Sequence, residues 1–299
     1  MNGIVVLDKP ADISSARLVG RIKRLFQAGK VGHAGTLDPF ATGLMICLLN
    51  RATRLAGFFL HDDKTYLATL RLGQETDTLD ATGTITATHD LEAGRLSENE
   101  IARICRSFEG ESWQVPPAYS AVKHQGIPLY KLARKGVTVE KPPRRIMISK
   151  IDVKSVCLPE VTIEVACSGG TYIRTLGADI GRELGCGAHL TALRRTESSG
   201  FTMAEAWTPA DLENMAAGDT LSDSLIPMNR SLRRMPAYPA DRTLAAKIRN
   251  GLRIDLKTLG PPPPTDRQGH FQVIDDNGDL IAVMEIKEES LGYCCVFPD

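Results

Sequence analysis

The strand-like and helix-like segments of this chain follow one another in irregular order, and this order restricts the fold most. Strands are predicted at residues 3–8, 65–72 and 161–165, where apolar residues run together or alternate with polar ones. Helices are predicted from the capping box SENE at 97–100 and over 173–184. A further helix is predicted over 15–27, and the polar residues at 12–15 can cap it. Because no regular strand–helix–strand repeat is present, we predict an α+β fold with a mixed or antiparallel central sheet flanked by helices.

The character of the sequence changes in its last third. An acidic, alanine-rich stretch leads to a tail of short predicted strands, where DDNGD at 275–279 separates FQVI from LIAVMEI and predicts a hairpin turn. Four consecutive prolines at 261–264 indicate a linker or an insertion. We place a boundary near Pro239, which divides the chain into a large domain, 1–238, and a small β-rich domain, 239–299.

The composition is that of a globular protein with free thiols. The 299 residues are 42% apolar and 24% charged, and no apolar run approaches the roughly 20 residues that a membrane-spanning helix needs. The N-terminus has neither the basic segment nor the cleavage site of a secretory signal. Seven scattered cysteines without a CxxC pair argue against a disulfide framework or a zinc ribbon, and they indicate reduced thiols in a cytoplasmic protein.

The basic residues are unevenly distributed, although 36 basic and 36 acidic residues leave the whole chain without net charge. Residues 117–150 contain eight Lys and Arg residues and one acid, Glu140, so this basic segment has a net charge of +7. The acids concentrate elsewhere, chiefly at 211–223 and 275–289. A chain polarised in this way can hold a polyanion on one side despite its neutral total.

The segment GHAGTLDPFATGLM at 32–45 places His33 and Asp38 among turn-forming residues and leads into an apolar, helix-like run. By itself, Asp38 is most simply interpreted as a turn former. A metal site that combines it with His33 and the His-Asp-Asp sequence at 61–63 lacks a recognised zinc or calcium pattern, so no metal is predicted. A phosphate loop is also disfavoured, because neither GxxxxGK[ST] nor GxGxxG occurs there.

Six segments together resemble the pseudouridine synthases of the TruB family. The segment GHAGTLDPFATG at 32–43 is similar to the catalytic motif of that family. The others match in family order: GIVVLDKP at 3–10, KTYLATLRLGQETDTLDATG at 64–83, PPAYSAVKHQGIPLYKLARKG at 116–136, CSGGTYIRTLGADIG at 167–181 and GCGAHLTALRR at 185–195. Because the matched segments are separate and keep their order from residue 3 to residue 195, a chance similarity is not a serious competitor.

The resemblance implies an enzyme that converts a uridine of tRNA, uridine 55 in the TΨC loop, into pseudouridine. The N1–C1′ glycosidic bond breaks, the uracil turns within the site, and C5 bonds to C1′. In this family neither a metal nor a cofactor takes part. The match assigns Asp38 as the nucleophile, Arg174 as the cation that favours its ionised form, and Tyr66 as the ring that stacks on the extruded uracil.

The same resemblance assigns further residues to the site. Tyr172 and Leu193 match positions that line the uracil pocket, and His33 matches the residue that takes the place of the extruded base. Lys9 and Asp80 match positions that support the site. Without the resemblance, Tyr172 and Leu193 are equally compatible with the core of the fold.

The resemblance also includes RNA-binding parts. The insertion at about 116–145 matches a thumb-like segment that closes over the T arm of tRNA, which gives the basic segment a partner. The tail at 239–299 occupies the place of a small RNA-binding domain of the PUA type, and 1–238 that of the pseudouridine synthase domain. We therefore expect a monomer that binds tRNA, needs no obligatory protein partner and does not bind membranes.

Two other functions stay open on the sequence alone. A subunit of an RNA-guided pseudouridine synthase shares the Asp38 motif, but this chain begins almost at its first strand, and its insertion is more similar to that of the stand-alone enzymes. A tRNA chaperone of the same fold needs no catalytic residues, whereas Asp38, Tyr66 and Arg174 are all present. The stand-alone enzyme is therefore the preferred hypothesis.

Overall fold

The architecture is a mixed central sheet with helices packed on it, followed by a smaller sheet near the C-terminus. The computed structural model describes residues 1–91, 96–120, 122–133, 135–137, 139, 141–260, 263–288 and 290–298. Two charges of the basic segment, on Arg134 and Glu140, lie outside these residues, as do the first two prolines at 261–262. The predicted α+β class and the mixed sheet are confirmed.

The strands and helices have the following bounds. In chain order, the strands are β1 (Gly3–Lys9), β2 (Val31–Ala34), β3 (Thr42–Leu49), β4 (Lys64–Leu72), β5 (Gln74–Thr76), β6 (Ile85–Thr88), β7 (Gly110–Gln114), β8 (Lys123–His124), β9 (Ile127–Pro128), β10 (Arg144–Cys157), β11 (Glu160–Cys167), β12 (Ala188–Ser198), β13 (Phe201–Thr202), β14 (Ala237–Pro239), β15 (His270–Ile274), β16 (Leu280–Lys287) and β17 (Ser290–Val296). The α-helices are α1 (Ser15–Leu25), α2 (Ala56–Leu60), α3 (Glu98–Ser107), α4 (Leu129–Ala133), α5 (Ile173–Glu183), α6 (Pro209–Ala217), α7 (Met228–Ser231), α8 (Arg242–Arg249) and α9 (Leu256–Leu259).

The central sheet has the strand order β1-β3-β12-β4-β11-β10-β7, with β2 also paired to β3 and β13 to β12. Its pairs are antiparallel except β12 with β3, which meet in parallel at Arg194–Thr42 and Arg195–Gly43. Gly43 adopts a φ of +101°, and a Cβ built there would lie 2.3 Å from the Arg195 carbonyl oxygen. Only glycine permits this close approach, which joins the segment after Asp38 to β12.

Apolar clusters lie on both faces of this sheet. On one face, the inward side chains of β4, β11 and β12 pack with α3 and α5 around Leu70, Ile163 and Ile180. At the β1–β3 end, Leu18 and Ile22 of α1 cover one face. The opposite face there is covered by other apolar residues, and β1 and β3 are therefore buried on both sides.

The apolar run after the Asp38 motif forms strand β3, so the helix-like interpretation of this run is wrong. Every residue from Gly43 to Leu49 is buried, because β3 lies between β1 and β2 and is covered on both faces. A strand buried on both faces shows no alternation of polar and apolar residues. Its sequence pattern therefore resembles that of a buried helix.

The other predicted elements are confirmed with small changes of bounds. Strands β1, β4 and β11 coincide with the predicted runs, and α5 covers the predicted helix up to Glu183. The Ser97 side chain accepts from the Glu100 N–H at 3.2 Å and so caps α3. Ser14 caps α1 in the same way.

The C-terminal part is a four-stranded sheet in the order β14-β15-β16-β17. Strands β15 and β16 are antiparallel and flank the DDNGD turn, which confirms the predicted hairpin. Val283 and Phe297 share an apolar cluster with Ile4 and Val6 of β1, so this sheet packs on the central one. The division near Pro239 and the PUA type of the tail stay predictions.

Two further observations concern membranes and thiols. Among the described helices, none is long and apolar enough to cross a membrane. The seven cysteines are all free thiols, as expected from their number and spacing.

Candidate active site

The backbone of the Asp38 turn, residues 35–41 between β2 and β3, is held from two sides. The Ala41 N–H donates to the Asp38 carbonyl at 3.1 Å and closes the turn. From α1, the buried Ser15 Oγ donates to the Leu37 carbonyl at 2.8 Å and accepts from the Leu37 N–H at 2.9 Å. Because one hydroxyl satisfies both backbone groups of the preceding residue, the direction of the Asp38 side chain is fixed.

Lys9, at the end of β1, holds the other half of the same turn. Its fully buried ammonium donates to the carbonyls of Pro39 at 3.1 Å, Ala41 at 2.7 Å and Pro10 at 2.9 Å. Burial lowers the pKa of Lys9 to about 8, and the charge of Asp38 opposes this change. Lys9 is therefore a buried residue that stabilises the turn through hydrogen bonds to its backbone.

Arg174, at the second position of α5, grips the Asp38 carboxylate with two nitrogens. Nε lies 2.9 Å from Oδ2, and Nη2 donates to Oδ1 at 3.3 Å. The same guanidinium donates to the carbonyls of Thr78 at 2.8 Å and Tyr119 at 2.7 Å. Only 4% of the Arg174 side chain is exposed, against 33% for Asp38. The buried Arg174 therefore fixes the orientation of the Asp38 carboxylate, which stays partly exposed.

Asp80 supplies a second carboxylate behind Arg174. Its Oδ2 lies 3.3 Å from Arg174 Nη1, and 5% of its side chain is exposed. Its Oδ1 accepts from the Thr78 hydroxyl at 2.8 Å and from the Thr82 N–H at 2.9 Å. Because Asp80 neutralises part of the guanidinium charge and cannot turn, it fixes Arg174 in the orientation that meets Asp38.

Burial raises the pKa of Asp38 above its ordinary value, although the Arg174 guanidinium opposes the change. The neighbouring charge of Asp80 adds to the rise, and Lys9 adds to the opposition. A carboxylate in this environment is less solvated than one in water, so it is a stronger nucleophile in its ionised form. Arg174 keeps that form accessible.

The Asp38 side chain borders a cavity of about 610 Å³. Tyr66 of β4 and Leu193 of β12, both inward-facing, line its sheet side, and Ile173 and Arg174 line its helix side. A volume of this size is typical of small-molecule sites. The cavity thus brings together an oriented carboxylate, an aromatic ring and an apolar side chain, a set of groups that suits a planar base.

Tyr172 borders the same cavity at the N-terminus of α5. Its backbone N–H donates to Gln114 Oε1 at 2.7 Å, and its carbonyl accepts from Gln114 Nε2 at 3.1 Å. The Arg144 guanidinium lies over its ring at 5.2 Å from the centroid. One buried amide therefore fixes the start of α5 at the edge of the cavity, with an aromatic ring and a cation beside it.

The insertion reaches the site through its first residues. Ser120 and Val122 border the cavity, and the Tyr119 carbonyl accepts from Arg174. Beyond them, β8, β9 and α4 form a short hairpin followed by a helical turn. Arg144 and Arg145, at the far end of the insertion, also border the cavity.

His33 lies on β2, in register with Cys47 of β3, and does not belong to the cavity lining. Its Nδ1 is buried and has no hydrogen-bond partner among the residues that the structure describes. Burial lowers the pKa of His33, and the nearby Arg195 adds to this effect. His33 is therefore a neutral ring beside the Asp38 turn, outside the space in which Asp38, Tyr66 and Arg174 meet.

Four buried or bordering residues of the site were not predicted individually: Ser15, Lys64, Gln114 and Arg195. Ser15 belongs to a polar stretch that was assigned only to helix capping. Lys64 and Arg195 lie within the matched segments but carried no assignment there. Gln114 has no local signal at all, because its contact with Tyr172 joins residues 58 positions apart.

Three potential metal ligands meet elsewhere in the described part of the chain. His270, Glu285 and Cys294 lie on neighbouring strands of the C-terminal sheet with their ligand atoms within 4.8 Å of one another. Glu285 is already paired with Lys287 at 2.7 Å. None of the three borders the cavity next to Asp38, so the candidate site does not include them.

Comparison with known proteins assigns the chain to a family. Residues 23–173 match the family model described as TruB family pseudouridylate synthase (N terminal domain). Residues 174–233 match the tRNA pseudouridylate synthase B C-terminal domain. The tRNA pseudouridine synthase B of Syntrophotalea carbinolica is 48% identical over 237 residues, which cover 79% of this chain and 76% of that protein. The protein of the same name from Burkholderia mallei is 42% identical over 288 residues, covering 96% and 94%.

A solved structure shows the same fold. The match is to a chain in the crystal structure of a Cbf5-Nop10-Gar1 complex, with a TM-score of 0.75 and 26% identity, covering 99% of this chain and 84% of that chain. Together with the mixed sheet and the cavity at Asp38, these similarities make the protein a pseudouridine synthase, an isomerase that acts on RNA. Within that class the chain belongs to the TruB family.

Proposed function

We propose that this protein converts uridine 55 in the TΨC loop of tRNA into pseudouridine, with Asp38 as the nucleophile that acts on an extruded uridine. The observation that carries the proposal is the forked ion pair of Arg174 and Asp38, which borders a cavity of about 610 Å³. The pair provides an ionisable, rigidly oriented carboxylate in a space that admits a base. Such a group is what covalent catalysis at the ribose or the uracil requires.

The geometry supports extrusion of the target base. A uridine inside an RNA stem or loop does not offer its glycosidic bond to a buried carboxylate, so the nucleotide must leave the stack. Tyr66 and Leu193 offer the extruded uracil one aromatic and one apolar surface, and stacking on the ring stabilises it by roughly 1–3 kcal/mol. Tyr172 borders the same cavity and is therefore placed to contact the nucleotide.

Asp38 has two possible points of attack, C1′ of the ribose and C6 of the uracil. In either case the carboxylate must be ionised, and Arg174 favours that state against the effect of burial. The Asp80 carboxylate, Lys9 and Ser15 hold Arg174 and the Asp38 turn in place. We assign them a positioning role, since none of them borders the cavity.

The choice of tRNA as substrate rests on the relatives and on charge. The proteins from Syntrophotalea carbinolica and Burkholderia mallei are both named tRNA pseudouridine synthase B. The basic segment at 117–150 begins beside the cavity and ends on β10, where Arg144 and Arg145 border it. A phosphate backbone is the natural partner for such a segment. We assign the insertion and the C-terminal sheet to tRNA binding, by a monomer in the cytoplasm.

The test is conversion of an unmodified tRNA transcript by the purified protein in buffer that contains EDTA. Wild type should form pseudouridine at one T-loop position, read by mass spectrometry after nuclease digestion. Asp38→Asn should form none while still binding the transcript. Asp63→Asn, which alters a surface carboxylate with 65% of its side chain exposed, is the matched control and should be fully active.

The outcomes separate the three functions considered above. Conversion by wild type alone, without any guide RNA, supports the stand-alone enzyme. Tight binding without conversion by wild type overturns the proposal and favours a guided subunit or a chaperone. Conversion by Asp38→Asn at the wild-type rate contradicts the role of the nucleophile and leaves the isomerase activity without an assigned residue.

A further inference from the structure

Two buried cations, Lys64 and Arg195, lie on the sheet side of the Asp38 cavity. Lys64 is 5% exposed and Arg195 is 1% exposed, and both border the cavity. Lys64 Nζ donates to the carbonyls of Phe59 at 3.2 Å and Leu60 at 3.1 Å, as well as to that of Asp62. Arg195 donates to the Leu44 carbonyl at 2.6 Å through Nε and to the Gly35 carbonyl at 3.1 Å through Nη2.

Carbonyl oxygens satisfy these donors without cancelling their charge. Among the described residues, no Asp or Glu forms an ion pair with Lys64 or Arg195, and the Asp38 carboxylate is already taken by Arg174. Burial lowers the pKa of Lys64 to about 8, and repulsion from Arg195 lowers it further. The attraction of Asp62 raises this pKa, but by less than Arg195 lowers it. Buried cations without a counter-ion destabilise a fold, so two such cations that border a cavity are candidates for groups that act on a ligand.

Their place in the sheet tells which part of a nucleotide they would meet. Lys64 and Tyr66 are two residues apart on β4 and therefore point to the same face, and Arg195 is the cross-strand partner of Tyr66 on β12. A Cβ built on Gly35 would lie 3.1 Å from Arg195 Nη1 and 3.6 Å from Lys64 Cε, so both cations meet at the Asp38 turn. Lys64 and Arg195 therefore lie beside the ring on which the base would stack, and all three side chains border the same cavity.

We propose that Lys64 and Arg195 stabilise the negative charge that develops on the uracil ring during the isomerisation. This inference rests on the proposed function. If Asp38 attacks C1′, the electron pair of the N1–C1′ bond passes to the uracil, which becomes an anion while the carboxylate bonds to C1′. If Asp38 attacks C6 instead, the charge appears on the ring as an enolate. In both routes the ring gains a charge that the neutral substrate lacks, so the cations act mainly on the transition state.

The experiment compares uridine with 5-fluorouridine at the target position of a T-arm RNA under single-turnover conditions. Fluorine withdraws electrons and stabilises the anionic ring by itself, so this substrate depends less on the protein. The readout is the loss of the N-glycosidic nucleoside after digestion. Lys64→Met removes a charge close to the developing anion and should slow the conversion of uridine by about 100-fold. It should slow 5-fluorouridine by about 10-fold or less.

Matched variants separate charge from structure. Ser15→Ala disturbs the Asp38 turn without altering a cation and should slow both substrates by the same factor. Arg195→Met should show the same selectivity as Lys64→Met, and Arg195→Lys, which keeps the charge, should recover part of the uridine rate. Equal losses on both substrates for Lys64→Met and Arg195→Met overturn the inference. A wild type that converts neither substrate instead overturns the proposed function, so the two failures are distinguishable.

Discussion

Arg174 reaches Asp38 across 136 positions of sequence and binds it with two nitrogens, Nε at 2.9 Å from Oδ2 and Nη2 at 3.3 Å from Oδ1. The contact joins the turn after β2 to the start of α5. Asp80 holds Arg174 from behind, so the pair keeps its geometry while 33% of the Asp38 side chain stays open to the cavity.

Arg174→Lys tests what the fork contributes. A lysine keeps the positive charge but cannot make two parallel hydrogen bonds, so the carboxylate loses its fixed direction. We expect pseudouridine formation to fall by about 100-fold, in line with the cost of losing one oriented donor. The measurement is the single-turnover rate on a tRNA transcript.

The same variant also predicts a change in pH dependence. Arg174 lowers the pKa of Asp38 against the stronger effect of burial, so weakening the pair should raise that pKa further. Because the proposed nucleophile is the ionised form of Asp38, the rate should fall as the pH drops through the pKa of this carboxyl group. The acid limb of the profile should therefore move to higher pH in Arg174→Lys. A limb that moves to lower pH contradicts this prediction.

Ser15→Ala tests whether the backbone of the Asp38 turn sets the rate. It leaves the Leu37 N–H and carbonyl without their partner, which should cost about 1–3 kcal/mol of stability and at least about 10-fold in rate. Ser14→Ala is the matched control, because the Ser14 side chain accepts from the Arg17 N–H and caps the same helix. It should lose about 1 kcal/mol of stability and keep its rate. Equal rates in the two variants would show that the turn is held by other contacts.

Some of these elements and contacts can be predicted from the sequence, and others cannot. The strands β1, β4 and β11, the caps of α1 and α3 and the C-terminal hairpin follow from local patterns, since each depends on residues close in sequence. The Asp38–Arg174 pair could be expected only through the resemblance, because nothing local connects residues so distant. Gln114 could not be expected at all, since its role depends on the position of α5 relative to β7.

Strand β3 shows a different limit. Its run of buried residues carries no period, because both faces are covered, one by α1 and the other by the layer that contains Phe201. Local propensity then does not distinguish a strand from a helix, and the pairing with β1 and β2 determines that this segment is a strand. The burial of Lys64 and Arg195 could not be predicted from the sequence for a similar reason. A basic residue is usually a surface residue, and only the fold shows that these two are buried.

Tyr66 is expected to act by stacking rather than by proton transfer. Burial raises the pKa of its phenol, although Arg195 opposes the change, so the phenolate is scarce at neutral pH. Tyr66→Phe keeps the ring and should retain most of the rate. Tyr66→Leu loses the ring and should slow the reaction by roughly 10- to 100-fold, equivalent to about 1–3 kcal/mol of stacking. A Phe variant as slow as the Leu variant would instead assign a chemical role to the hydroxyl.

His33→Ala should slow the reaction by about 10-fold, far less than Asp38→Ala, because recovering part of the cost of extrusion differs from supplying the nucleophile. His33 lies beside the turn and outside the cavity, and its lowered pKa makes it a neutral ring that can stack. His33→Phe keeps a flat ring and should be more active than His33→Ala. Equal activity of these two variants would contradict a role for stacking by residue 33 in base extrusion.

Lys9→Met tests the buried ammonium under the turn through the pH dependence of stability. The pKa of Lys9 is about 8 in the folded protein, against 10.5 ordinarily, so between these values the unfolded chain binds more protons. Stability contributed by Lys9 therefore rises from pH 8 to pH 10.5, by at most about 3 kcal/mol. The free energy of unfolding of wild type should thus increase relative to that of Lys9→Met over this range, as measured by urea titration at several pH values. Lys23 is an exposed lysine on α1, so Lys23→Met should show no such difference from wild type. If wild type instead loses stability relative to Lys9→Met as the pH rises, Lys9 is charged and paired in the folded state.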